Sequence, residues 1–66
     1  MRIDSIKIKL LIAEKGMTQT EFAEKCGIAK QNISLTLCRG TCFPAKVKKM
    51  AAVLGVTAEE IIREEN

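Results

Sequence analysis

The chain has 66 residues, 47% apolar and 29% charged with a net charge of +3, a composition that suits one small globular domain (residues 1–66) and argues against disorder. No apolar run is long enough to span a membrane, and the opening Met1-Arg2-Ile3-Asp4-Ser5 runs into lysines, so neither a membrane anchor nor a secretory signal is expected. There is no His, which removes the commonest general base and the Ser–His and Cys–His pairs, and the four scattered glycines make no phosphate loop: a binding module is expected rather than an enzyme.

Helix starts and stops are written into the chain. The first helix is expected over 4–15, with Ile3, Ile6, Leu10 and Ala13 on its inward face. Ile6-Lys7-Ile8-Lys9 alternates briefly, but the following Leu10–Lys15 favours helix by length and propensity. Gly16 ends that pattern. Thr18-Gln19-Thr20-Glu21 is a capping box that opens a second helix over 18–26, with Met17 and Phe22 spaced as a hydrophobic staple. Phe22, Ala23 and Cys26 form its apolar stripe. After Gly27-Ile28 a third helix is expected over 29–38, with Ala29, Ile33, Thr36 and Leu37 facing inward.

Gly40–Phe43 is the longest connection, and Pro44 suits the first turn of a fourth helix over 44–54, where its missing N–H costs nothing. Val47, Met50, Ala51 and Leu54 are its stripe. A second capping box, Thr57-Ala58-Glu59-Glu60, opens a fifth helix over 57–64, stapled by Val56 and Ile61 and anchored by Ile61 and Ile62. The result is an all-α, five-helix domain. Its apolar stripes are accounted for as core, so no cofactor is expected.

The second and third helices are short and joined by a tight Gly turn, the helix-turn-helix arrangement, which also occurs in purely structural bundles. Charge adds a hint: from Lys25 to Ala58 there are six basic residues and no acidic one, whereas the last eight residues carry four Glu. Such a distribution suits a phosphate-binding face, and also an ordinary solvated surface.

Met17-Thr-Gln-Thr-Glu-Phe-Ala-Glu-Lys-Cys-Gly-Ile-Ala-Lys-Gln-Asn-Ile-Ser34 resembles the helix-turn-helix of the Cro/repressor group, the xenobiotic-response-element family of phage and bacterial regulators. Met50-Ala51-Ala52-Val53-Leu54-Gly55-Val56-Thr57 is similar to a second signature of the same family, so the resemblance covers nearly the whole chain. It implies a five-helix domain that binds a double-stranded DNA operator, usually as a homodimer; a cytoplasmic location is expected from the lack of a secretory signal. The resemblance also implies that Gln19, at the first turn of the second helix, grips a phosphate. Two departures stand out. Ala29 sits where the family caps its third helix with Ser or Thr, and Gly40 comes one residue late after a Thr36 that replaces the usual aliphatic. The end of the third helix is therefore expected to be extended, with Leu37 supplying the missing core contact.

Read from its own residues, the third helix turns Gln31, Ser34, Leu35 and Cys38 away from its apolar side, with Lys30 and Asn32 on the flanks. Gln31 can pair bidentately with adenine, Ser34 can meet any base, and Leu35 suits a thymine methyl. Arg39, Thr41 and Lys46 follow the helix as candidate backbone contacts, while Lys48 and Lys49 are expected to be solvated. Taken without the resemblance, all of these also fit a plain polar surface. A protein-interaction module on the same fold, such as an antitoxin or regulatory subunit, is the alternative, and an acidic tail with exposed apolar residues on the last helix would favour it.

Cys26, Cys38 and Cys42 are odd in number and lack His partners, so reduced thiols rather than a disulfide framework or a structural zinc are expected. Cys26 is expected in the core. A redox switch through Cys38 and Cys42 is the sharper alternative, with Arg39 nearby to favour a thiolate. No small-molecule effector is expected to be sensed within this chain.

Overall fold

In a computed structural model of the chain, which describes residues 1–63, five helices run α1 (Ser5–Glu14), α2 (Gln19–Cys26), α3 (Lys30–Arg39), α4 (Pro44–Leu54) and α5 (Ala58–Ile61). Their starts follow local chemistry. Asp4 caps α1 by accepting from the Lys7 N–H at 3.1 Å. At α2 the box closes in both directions: the Glu21 N–H donates to Thr18 Oγ1 at 3.1 Å, and the Thr18 N–H donates to Glu21 Oε1 at 3.2 Å. Glu60 accepts from the Thr57 N–H at 3.1 Å ahead of α5. Pro44 is in the first turn of α4.

Ala29 precedes α3 in an extended conformation and offers no side-chain cap. Ser in its place would present a hydroxyl to the free N–H groups of the first turn. Ala29→Ser is therefore expected to raise stability by about 1 kcal/mol in urea unfolding. An unchanged midpoint would show that the first turn is already satisfied by solvent.

The α2–α3 turn depends on Gly27, whose φ of 70° is left-handed and costly for a residue with a Cβ. The Ile28 N–H then returns to the Ala23 carbonyl at 3.0 Å, and the same closing bond follows α1 (Met17 to Ile12) and α4 (Val56 to Ala51), both at 3.1 Å.

One core joins every helix. Phe22, Ile8, Ile33, Met50, Leu54, Ile61 and Val47 are the largest fully buried side chains, with Ile12, Ala23, Cys26, Leu37 and Ala51 around them. Met17, Val53, Val56 and Ile62 pack partly buried at its margin. The second and third helices pack on each other, α4 packs on α2 and on α5, and α1 packs on α5. No polar or charged residue is buried among the described residues.

Four expectations are corrected. The inward face of α1 is Ile8 and Ile12, while Ile6 (78% exposed), Leu10 (57% exposed) and Ala13 face solvent. Once Asp4 sets the start, Ser5, Ile8 and Ile12 share one side at 100° per residue, and Ile6, Leu10 and Ala13 lie on another. Ile3 is in the core, but it reaches it from extended chain ahead of the helix. Ala29 is exposed rather than inward, because it stands outside α3 as its N-cap. The fifth helix stops at Ile61, because Ile62 turns extended (φ −91°, ψ 139°) and pairs with Ile3. Position 64 of the expected range lies outside the described residues.

That pairing belongs to an extended N-terminal segment laid between two others. Arg2 bridges Thr41 and Ile3 bridges Ile62, both antiparallel. The Ile3 N–H donates to the Gly40 carbonyl at 2.9 Å and the Cys42 N–H to the Met1 carbonyl at 2.9 Å. On the other side the Asp4 N–H reaches the Ile61 carbonyl at 2.8 Å, and the Arg63 N–H reaches the Arg2 carbonyl at 3.1 Å. Residues 40–42 and 61–63 are thus both fastened to residues 1–4.

Candidate nucleic-acid interface

The outward surface of α3 follows from its anchoring. Ile33 and Leu37 are buried at 1% and 4% exposure, which fixes the rotation of the helix about its axis. Lys30, Gln31, Asn32, Ser34 and Leu35 are then all exposed, as is Cys38. Thr36 is half-buried and Leu37 fills the core beside it, and α3 runs to Arg39, one residue past the expected 38.

Beyond α3 the chain folds an open groove of about 380 Å³ against the helix. Asn32, Leu35, Arg39, Thr41 and Lys46 line it together, so five of the expected contact residues meet in one place although they span three segments. Gln31, Ser34 and Lys30 lie outside this groove on α3, and Gln19 stands apart at the start of α2, half-buried. At that start the capping box engages the Thr18 and Glu21 N–H groups, while those of Gln19 and Thr20 have no partner within the helix and suit an anion.

Thr36, Cys42, Phe43 and Met1 also line the groove, and none of the four is an expected contact. Phe43 is 75% exposed at the start of α4, and Met1 is 54% exposed beside it. Phe43 could have been noticed as one of only two aromatic residues, outside every apolar stripe and between Thr41 and Lys46. Met1 is brought there only by the long-range pairing of the N-terminal segment, which leaves no local signal.

The cysteines are free, with Cys26 buried, Cys42 intermediate and Cys38 exposed. Burial pushes the Cys26 thiol above its ordinary value, partly offset by Lys49. Burial also raises Cys42, against the opposing pull of Lys46, the Phe43 backbone N–H and the N-terminal amine. Arg39, expected to favour a thiolate, is not among the charges acting on Cys42, where desolvation outweighs those that are. Replacing Cys38 and Cys42 together by Ser is expected to leave DNA affinity nearly unchanged in reducing and oxidising buffer alike, measured by fluorescence anisotropy. Loss of binding by the oxidised parent protein, absent from the double variant, would establish the switch instead.

No described helix is long and apolar enough to cross a membrane, and no group of three or more potential metal ligands gathers among the described residues. No curated protein and no solved structure matches the chain significantly. A protein-family model does: the one described as the Cro/C1-type HTH DNA-binding domain matches residues 7–65.

Proposed function

The chain belongs to the Cro/C1-type helix-turn-helix DNA-binding family, and from that membership we propose that it is a cytoplasmic repressor that occupies an operator through α3. The observation that carries this reading is the outward face of α3, where Gln31, Ser34 and Leu35 are exposed while Ile33 and Leu37 hold the helix in the core. In this reading Gln31, Ser34 and Leu35 meet base edges from the major groove, with Lys30 and Asn32 at the flanks. Gln19, Arg39, Thr41 and Lys46 hold phosphates and set the register.

One α3 covers too few base pairs for a selective site. Two protomers on half-sites about one helical turn apart solve this, with contacts from the last helices and the 40–43 connection. The interaction-module alternative draws no support from the last helix, since Ile61 is fully buried and Ile62 packs half-buried on the core. What it could use is the exposed Ile6 and Leu10 of α1.

The test is selection of bound sequences from random duplex DNA, followed by affinity measurements over a range of salt. Lys46→Ala is expected to weaken selected and random duplexes alike and to lower the salt slope by about one unit, as the loss of one phosphate contact does. Failure to enrich any sequence would overturn the operator reading, and a footprint over a single half-site would overturn the dimer.

A further inference from the structure

Three of the four long helices end in the same way. After α1, α2 and α4, the residue following the glycine sends its N–H back to the last turn. The third helix, which presents the DNA-reading face, ends differently. The Gly40 N–H donates to the Thr36 carbonyl at 2.9 Å, and the carbonyls beyond are taken up from a distant part of the chain. Ser5 Oγ donates to the Leu37 carbonyl at 2.6 Å across 32 positions of sequence, and the Ile3 N–H donates to the Gly40 carbonyl at 2.9 Å. Both distances are those of well-made hydrogen bonds. The same N-terminal segment accepts the Cys42 N–H and, on its far side, pairs with Ile62.

We propose that the N-terminal segment is a positioning element of the DNA-reading surface, in which Ser5 and the Ile3 backbone lock the last turn of α3 and the 40–42 connection to the body of the domain. Ser5 is then a positioning residue: it touches no DNA and acts through the Leu37 carbonyl, while the Ile3 N–H holds that of Gly40. This rests on the reading that α3 contacts bases.

The physical case is one of leverage. Arg39 and Thr41 sit on either side of Gly40, and both line the groove beside α3. A helix end closed only by its own Gly40–Thr36 bond can fray, and fraying moves both residues. Bonds from α1 and the N-terminal segment remove that freedom before DNA arrives. The ordering cost is met in folding, and operator affinity gains by it. Random DNA makes weaker demands on geometry, since its binding is set by charge.

The experiment pairs Ser5→Ala with Ser5→Thr, which keeps the hydroxyl. Two readouts are taken: amide hydrogen exchange in the free protein, and affinity for the selected operator against random duplex. Ser5→Ala is expected to speed exchange at Gly40 and Cys42 while leaving Gly27 and Gly55 as they were. Operator affinity is expected to fall by roughly 2- to 10-fold, the scale of one hydrogen bond, with random-duplex affinity unchanged. Ser5→Thr is expected to restore both. A uniform rise in exchange would mean general destabilisation, and an unchanged operator-to-random ratio would mean a merely structural bond; either overturns the proposal. A parent protein with no operator preference would instead sink the base-reading proposal. In that case the exchange pattern still decides whether Ser5 holds the turn.

Discussion

Phe22→Ala is expected to leave the protein largely unfolded or close to it. Phe22 is fully buried near the start of α2, directly after the capping box, where α2 packs on both α3 and α4. Truncating a buried Phe to Ala removes the transfer energy of the ring and leaves a cavity, together about 3–5 kcal/mol. A domain of this length has a total stability of about 3–10 kcal/mol, so the loss takes up much or all of it. The measurement is urea unfolding followed by circular dichroism, with Phe22→Leu as the milder control. DNA affinity should fall for every sequence together, because the face of α3 is lost with the fold. A midpoint close to that of the parent protein would mean that the core closes over the gap, and that Phe22 is not its centre.

Much of the fold is legible because its signals are local. Thr18 with Glu21, Pro44, and the glycines at 16, 27, 40 and 55 act within a few residues of themselves, so the chain states where helices begin and end. The outward face of α3 is legible for a related reason. Ile33 and Leu37 are its only strongly apolar inward pair, so they settle which side is turned to solvent. The first helix offers no such decision. Apolar residues at 3, 6, 8, 10, 11, 12 and 13 fill more than one side, and any start between positions 3 and 5 finds a plausible stripe. Its phase is set by the Asp4 cap and by the Ser5–Leu37 bond, and the second of these is tertiary. The same limit hides the N-terminal pairing with residues 40–42 and 62–63, and with it the early end of α5. Met1 enters the groove by that route, whereas Phe43 stands there as the N-cap of α4.

Gln31→Ala is expected to cost about 1–3 kcal/mol on the selected operator, the value of one bidentate base contact. Gln31 is exposed in the first turn of α3, and if α3 is the recognition helix, as proposed, that turn is the end whose side chains meet base edges. Its amide can donate and accept at once, which matches the edge of adenine in the major groove. Loss of that pairing should relax the preference at one position of the site, visible when selection is repeated with the variant. Affinity for random duplex should stay nearly constant, because it depends on phosphate contacts that Gln31 does not make. The salt slope should stay constant too, in contrast to Lys46→Ala. That contrast excludes unfolding as the cause, since a lost fold weakens both kinds of duplex. A Gln31→Ala protein that is folded by circular dichroism and binds the operator as tightly as its parent would place the reading face elsewhere. Leu35 could be tested by replacing thymine with uracil in the site, which removes the methyl group and leaves the hydrogen-bonding edge intact.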